Sequence, residues 1–314
     1  MLDTLAPVVL FTYNRPKHLL ETVNALKANH LALETELFVY SDGPKDDKSK
    51  SKVEEVRSIL TSLDGFKKVN LVFREKNVGL AANIIDGVSG IVGKYGKVIV
   101  LEDDLVTAPY FLKFMNQALN LYENNERISQ VVGYSYYEKR AKRFKLEDGV
   151  FIRGADCLGW GTWNRAWKKF NPDSSFLIDQ LESRNLVSDF NFDNSYNYFE
   201  MLKLQNRGLV NSWAIRWMAS AFLEDMYTYY PTKSMVLHIG NDSEASNYSL
   251  KTSDPLNVPV YRDEVIPKKL DLSQELINKS RLAHIEYLNS FKPTLFDILK
   301  HWFISKKNLI KGLK

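Results

Sequence analysis

Three consecutive acids, Glu102-Asp103-Asp104, close the largely apolar run Lys97-Val98-Ile99-Val100-Leu101. Adjacent carboxylates repel one another unless a cation sits among them, and a hard divalent ion such as Mg2+ or Mn2+ takes carboxylate oxygens while keeping positions for phosphate oxygens. In an open α/β sheet ligands gather outside the carboxyl ends of the strands, so the triplet stands where a metal and a phosphorylated ligand belong; a solvated acidic turn is the plain alternative. A second group, Asn77-Val78-Gly79-Leu80-Ala81-Ala82-Asn83, follows basic Arg74 at the start of a helical stretch. Glycine there lets the backbone approach a phosphate or a ribose, and a helix N-terminus favours anions; Asn77 also suits a simple cap. A third, Ser41-Asp42-Gly43, ends another strand on the same sheet edge. An ionised Asp42 can accept from the imide N–H of uracil or thymine, or only shape an Asp-Gly turn.

Bringing these groups to one edge requires parallel strands with helices between them. The first half alternates short β-branched runs with longer amphipathic stretches, the order of a sheet covered by helices. Val8-Val9-Leu10-Phe11, Leu37-Phe38-Val39-Tyr40, Val69-Asn70-Leu71-Val72-Phe73 and the run ending at Leu101 read as four strands. Pro16 opens a helix with Leu19, Leu20, Val23 and Leu26 at helical spacing, and Val53 to Leu63 and Gly79 to Val92 read as the next two. Beyond the triplet, Tyr110 to Tyr122 reads as helix, Ile128 to Val132 as strand and Glu138 to Gly149 as a polar surface loop. Asn197 to Leu204 and Trp213 to Leu223 read as helices, and Met235-Val236-Leu237-His238 as a strand. From Leu270 two helices follow; the last, Thr294 to Lys314, is amphipathic and basic, with Trp302 and Phe303 on its apolar side.

Composition narrows the classes. The 314 residues, 45% hydrophobic and 25% charged, suit one large α/β domain with a small appendage. A net charge of +4 from 42 basic and 38 acidic residues is no polycation, so nucleic acid is not an expected partner. The single cysteine, Cys157, allows neither an intrachain disulfide nor a cysteine zinc site. Met1 to Pro7 lacks the positive flank and apolar run of an export signal, and no segment is long enough to span a bilayer, so a cytoplasmic protein is expected. No G-x-G-x-x-G follows the first strand, which excludes a Rossmann dehydrogenase.

Together these pieces resemble the GT-A glycosyltransferases. Val9-Leu10-Phe11-Thr12-Tyr13-Asn14-Arg15-Pro16 is similar to the first strand and loop of the bacterial family 2-like inverting glycosyltransferases, which line the nucleobase pocket. Asn77-Val78-Gly79 with Asn83 is similar to their donor-side helix. Glu102-Asp103-Asp104 is similar to their metal motif, in the Glu-Asp-Asp variant of the N-acetylglucosaminyltransferase I group. The resemblance covers roughly residues 7 to 245. It implies a three-layer α/β sandwich with a mixed central sheet and a C-terminal helical appendage. It further implies Thr12, Asn14, Arg15, Asp42, Asn77, Gly79 and Asn83 around the donor, Asp104 as metal ligand, and Glu102 and Asp103 on sugar and ribose.

The same resemblance makes Gly159-Trp160-Gly161-Thr162-Trp163 a loop walling donor sugar and acceptor, with Trp160 on the donor; a core tryptophan cluster is the alternative for Trp163 and Trp167. An inverting enzyme needs a carboxylate base. Candidates are Asp156 before this loop and Asp193, Glu200, Glu224 and Asp225 after it, Asp193 being favoured for its place between the loop and the helix leading to Trp213. Asn211-Ser212-Trp213-Ala214-Ile215-Arg216-Trp217 resembles a donor or acceptor segment but lacks the acid expected there; Arg216 or Lys233 can meet the diphosphate. His238 is a candidate further metal ligand or a structural histidine.

The expectation is therefore a glycosyltransferase dependent on Mn2+ or Mg2+. It would move a sugar from a nucleotide sugar, with UDP preferred, to a saccharide or lipid-linked saccharide in capsule or lipopolysaccharide synthesis. Residues 1–268 form its catalytic domain, a nucleotide-binding half 1–105 and an acceptor-binding half 106–268, and residues 269–314 a helical basic extension. Within that extension, 294–314 either lies on the inner face of the plasma membrane or packs onto protein. A sugar-phosphate nucleotidyltransferase is disfavoured because Thr12 to Pro16 stands where it needs a glycine-rich loop. A non-catalytic nucleotide-sugar-binding module is the other alternative.

Overall fold

The computed structural model describes residues 4–146, 148–241 and 258–290, and among these the chain forms ten strands, eleven α-helices and a short 3-10 turn at Ala32–Glu34. The strands are β1 Val8–Thr12, β2 Glu36–Ser41, β3 Lys68–Phe73, β4 Lys97–Glu102, β5 Leu105–Thr107, β6 Ile128–Val132, β7 Val150–Arg153, β8 Trp160–Trp163, β9 Tyr227–Tyr230 and β10 Val236–His238. The helices are α1 Pro16–Lys27, α2 Asp47–Thr61, α3 Leu80–Tyr95, α4 Phe111–Leu121, α5 Glu138–Phe144, α6 Asn164–Trp167, α7 Ser174–Ser183, α8 Val187–Phe190, α9 Tyr198–Asn206, α10 Trp213–Leu223 and α11 Gln274–Asn289.

Eight strands make one mixed sheet in the order β3-β2-β1-β4-β8-β6-β9-β7, and β10 pairs with β5 in a second, two-stranded sheet. The first four run parallel, so the chain leaves β1, β2 and β4 on one edge. β1, with all five residues buried, and β4, buried until Glu102, are the apolar centre expected of strands covered on both faces. β8 then runs antiparallel to β4 and to β6. α1 starts at Pro16, where a missing N–H costs nothing, and buries Leu19, Val23 and Leu26 on one face. α2 is closed by a reciprocal cap between Asp46 and Ser49.

Two segments differ from the expectation. Within the expected loop from Glu138 to Gly149 lies α5, in which Ala141 is the buried residue; seven residues with one inward position are too few to show a period. The expected loop from Gly159 to Trp163 is mostly strand β8, because its alternating glycines let β4 and β6 close on either side. A Cβ on Gly161 would come within 3.0 Å of the Val98 carbonyl.

The first of the two expected C-terminal helices is α11. It lies against β7 and α5, with Ser280 Oγ accepting from the Phe151 N–H at 3.2 Å and His284 Nδ1 2.7 Å from the Tyr137 hydroxyl. The second, Thr294 to Lys314, lies outside the described residues. No helix among the described residues is long and apolar enough to cross a membrane.

Candidate active site

The acidic triplet straddles the end of β4. Glu102 is its last residue, and Asp103-Asp104 form the tight turn into β5. Asp103 faces inward, accepting from the Thr12 hydroxyl at 2.6 Å and the Tyr13 N–H at 3.2 Å, while its carbonyl accepts from the Thr22 hydroxyl at 2.9 Å. It thus ties the ends of β1 and β4 to α1. Asp104 takes other partners. Arg15 donates to its Oδ2 at 3.0 Å, and His238 Nε2, carried by β10 opposite Leu105, stands 3.6 Å from the same oxygen.

Gly240 completes this corner. Its carbonyl accepts from Arg15 at 3.1 Å, and a side chain there would overlap Asp104 Oδ2 and approach His238 Nε2 to 2.8 Å. His18 Nε2 lies 2.9 Å from the Arg15 guanidinium on the other side. Arg15, Asp104 and His238 side chains are each less than one-fifth exposed.

Charge crowding drives the pKa values of the triplet's carboxyls apart. Burial, then the Asp104 and Asp103 charges, push Glu102 up to about 8. Burial and Asp104 push Asp103 up to about 6, against the lowering effect of its bonds from Thr12 and Tyr13. For Asp104 burial also raises the pKa, but the nearby His238 imidazole, with Arg15 and His18, outweighs it and holds the carboxyl below its usual value. One acid is thus kept ionised in a site that disfavours three.

The donors suit a hard divalent ion shared with a ligand. Among the described residues no three His, Cys, Asp or Glu side chains converge as a metal cage. Asp104 and His238 nevertheless face one another, and the buried Nδ1 of His238 has no hydrogen-bond partner among the described residues. A two-residue set leaves the remaining positions of an octahedral ion to phosphate oxygens and water.

On the same edge, Asp42 at the end of β2 acts as a clasp. Its Oδ1 accepts from the N–H of Gly43 and Val78, and its Oδ2 from the N–H of Gly79, all at 2.9 Å. Asn77 donates to the Gly43 carbonyl at 2.9 Å. These bonds draw the loop before α3 onto β2 and hold Gly79 at φ +81°, a left-handed conformation suited to glycine. Asn83, one turn into α3, is buried and accepts from Arg74 at 3.2 Å. Asn14 is half-buried in the bend after β1.

Asp156 reaches this region from the other half of the sheet. Val100 pairs with Trp160 across β4 and β8, so continuing the antiparallel register sets the residues just before β8 beside the end of β4. The Asp156 carboxylate accepts from the N–H of Cys157 at 2.6 Å and of Leu158 at 3.3 Å, and from the Tyr230 hydroxyl at 2.9 Å. Its carbonyl accepts from Gln130, which in turn accepts from the Trp217 indole at 2.7 Å. Burial raises its pKa, partly offset by these bonds and one from Tyr136.

Residues 8–181, more than half of the chain, match the model of glycosyl transferase family 2. The chain belongs to that family. It is a glycosyltransferase with the GT-A fold. No curated protein matches it in sequence. Similar solved structures include TarS of S. aureus, at 13% identity over 73% of this chain and 37% of that one, with a TM-score of 0.37. Another is the mannosyltransferase PcManGT of Pyrobaculum calidifontis, in complex with GDP-Man and Mn2+, at 11% identity over 58% of this chain and 47% of that one, with a TM-score of 0.35. Mouse xyloside xylosyltransferase 1 is similar at 10% identity over 62% of this chain and 77% of that one, with a TM-score of 0.34. The glycosyltransferase chain thus spans less than half the length of the first two.

In this family 2 glycosyltransferase the sequence candidates separate. Thr12, Arg15, Asp42, Asn77, Gly79, Glu102, Asp103, Asp104 and His238 gather at the carboxyl edge of the parallel strands and the adjoining β10. Asp193 stands elsewhere, held at two points by Arg281 of α11 at 2.6 and 2.8 Å, and that bond keeps its carboxyl below the usual range. Glu224 pairs with Lys169, Glu200 with Lys203, and Asp225 with Arg127, all on the surface. Trp160 is buried and stacks on Trp213 with ring centres 5.2 Å apart, beside Trp167 at 5.7 Å. Arg216 is turned onto its own helix start, donating to the Ser212 carbonyl and the Asn211 side chain. Lys233 sits over the Tyr261 ring.

Sequence reasoning missed His18, Thr22 and Gly240. His18 and Thr22 are one turn apart on α1, a spacing that could have marked a common face. The only local sign of Gly240 was its place two residues after His238.

Proposed function

We propose that this family 2 glycosyltransferase is metal-dependent and inverting. It transfers a sugar from a nucleotide sugar, UDP-linked by preference, to a saccharide or lipid-linked saccharide acceptor in surface polysaccharide synthesis such as capsule or lipopolysaccharide. The observation that carries this reading is Asp104, kept ionised between Arg15, His238 and Gly240 at the carboxyl edge of β4. Residues 1–105 bind the nucleotide and 106–268 the acceptor, while the basic segment 294–314 contacts an anionic membrane surface from the cytoplasmic side.

Asp104 and His238 would hold Mn2+ or Mg2+, which when bound supplies Lewis-acid neutralisation of the departing diphosphate. Arg15 adds a fixed positive charge to the same corner, and its bond to the Gly240 carbonyl keeps the guanidinium oriented. Glu102 and Asp103 border the donor sugar and ribose. Asp42 takes the N–H groups of Val78 and Gly79 and so sets the loop before α3. The space beside Gly79, where a side chain would meet nothing within 4 Å, is left for the nucleotide, and Asp42 retains one of the roughly four acceptor sites of a carboxylate for the base. Thr12, Asn14 and Asn83 flank that pocket.

Asp156 is the base. As the acceptor oxygen bonds to the anomeric carbon, the bond from that carbon to the phosphate oxygen breaks, its electron pair leaves with the diphosphate, and the hydroxyl proton passes to Asp156. Its raised pKa supports this role, since a base works best when its pKa approaches the working pH. The pairing of Asp193 with Arg281 argues against that residue, because a carboxylate satisfied by a guanidinium is weakly basic.

The test is a screen of nucleotide sugars for Mn2+-dependent hydrolysis. Wild type should turn over at least one donor, and Asp104→Ala should lose activity by about 100-fold or more. Undiminished hydrolysis by Asp104→Ala would refute the site assignment.

A further inference from the structure

Arg15 occupies the N-cap of α1 yet gives its own helix no side-chain cap. That position ordinarily takes a short polar residue that closes the first turn. The guanidinium reaches elsewhere: Nη1 donates to Asp104, 89 positions along the chain, and Nη2 to the Gly240 carbonyl, 225 positions along. Its third partner is local. His18, in the first turn of α1, brings Nε2 to 2.9 Å from the same Nη2.

A guanidinium only donates, so Nε2 of His18 is the acceptor and the ring carries its proton on Nδ1. In that form the imidazole is neutral and adds no charge to the corner. Its place is set by α1 rather than by Arg15. His18 is buried, Leu19, Val23 and Leu26 pack the helix down, and Thr22, one turn later on the same face, donates to the Asp103 carbonyl at 2.9 Å. One face of α1 therefore meets the acidic turn twice, at the Asp103 backbone directly and at the Asp104 carboxylate through Arg15.

An arginine has many rotamers, and a carboxylate whose charge is shared with a second cation holds it less firmly. We infer that His18 is a positioning residue for Arg15. With Nη2 held by His18 and Gly240, the guanidinium keeps its place when Asp104 is shared, and a fixed positive charge remains beside the departing phosphate. The inference rests on the donor reading above and adds a residue that serves that site through another side chain. Its consequence is specific: His18 matters only while Arg15 is present.

Calorimetry on the full chain with saturating Mn2+ tests this by comparing UDP with UMP, because the ratio of the two affinities isolates the terminal phosphate. His18→Leu should lower that ratio about tenfold, and so should His18→Asn, whose shorter amide stops short of Nη2. His18→Gln places an acceptor oxygen where Nε2 stood and should stay within about threefold of wild type. Arg15→Met should lower the ratio at least as far as His18→Leu, and combining the two should cause no further loss, since residues acting through one contact are not additive. Leu20→Ala, at an exposed position of the same helix, is the control and should match wild type. Melting temperature checks the fold of every variant. A wild-type ratio in both His18→Leu and His18→Asn, an equal loss in His18→Gln, or additive losses in the double variant would overturn the positioning role and leave the donor reading standing. A wild type that binds UDP no better than UMP would instead strike the donor reading, and the inference with it.

Discussion

The carboxyl ends of β1, β2 and β4 carry their polar groups within a few residues of each strand, whereas Asp156 reaches the same region only because β8 runs antiparallel to β4. On the first side, Arg15, Asp42 and the triplet are placed by short turns, and their partners are mostly backbone N–H groups or neighbouring side chains. On the second side, one carboxylate depends on Tyr230, 74 residues along the chain, and on the Gln130–Trp217 pair beneath it. On the proposed reading, the difference teaches that a site for a large charged ligand can be made mostly from the ends of neighbouring strands, while a single proton acceptor needs a wall assembled from distant segments.

That contrast can be broken most sharply at the two rival bases. Asp156→Asn should reduce transfer about 100- to 10,000-fold with UDP affinity nearly unchanged, the signature of a lost proton acceptor. Asp193→Asn should leave transfer close to wild type, since the amide oxygen still accepts from Arg281, Asp189 keeps its own bond to that guanidinium, and the exposed charge pairing that is lost is worth about 1 kcal/mol or less. Steady-state kinetics and calorimetry on the two variants decide the matter; an inactive Asp193→Asn beside an active Asp156→Asn would exchange the assignments.

The proposed donor side should be as intolerant of volume as the far side is of lost hydrogen bonds. Gly240→Ala forces a methyl against Asp104 and His238, and Mn2+ affinity should fall about 10- to 100-fold while the melting temperature of the metal-free protein changes little. Wild-type Mn2+ affinity in this variant would remove the metal from that corner.

A smaller effect probes how the far wall is held. Burial first, then the Arg140 and Arg281 charges, lower His284 from 6.5 to about 3. Between those values the unfolded chain binds a proton that the folded chain does not, so stability should rise with pH across that window and be lost as pH falls from 6.5 toward 3. Thermal melts should show this acid loss in wild type and a flatter profile in His284→Phe. Equal slopes in both would mean that α11 is not anchored through this ring.

The same contrast governs what the amino-acid order disclosed. β1 to β4 and α1 could be read because buried parallel strands and an amphipathic helix write their burial as local pattern. Glu102-Asp103-Asp104 stood out because adjacent carboxylates at the end of an apolar strand repel one another and call for a cation. β8 was hidden, since Gly159 and Gly161 weaken any strand signal and Trp160 looks equally suited to a ligand or a core. Its burial against Trp213 reflects a contact across more than fifty residues. Asp156 and Gly240 carry no local mark of their place; one depends on the β4–β8 register, the other on β10 folding back beside β5. Asp193 attracted attention by its position between two elements, but its partner lies on α11, 88 residues later.

Titration calorimetry of UDP, with and without Mn2+, on wild type and Asp104→Ala tests the central claim most directly. Wild type should bind UDP with an affinity that drops about 10- to 100-fold when the metal is chelated, and Asp104→Ala should bind weakly with or without it. Equal Mn2+ enhancement in both proteins would contradict the assignment of Asp104 to the metal and, with it, the account of this edge as a donor site.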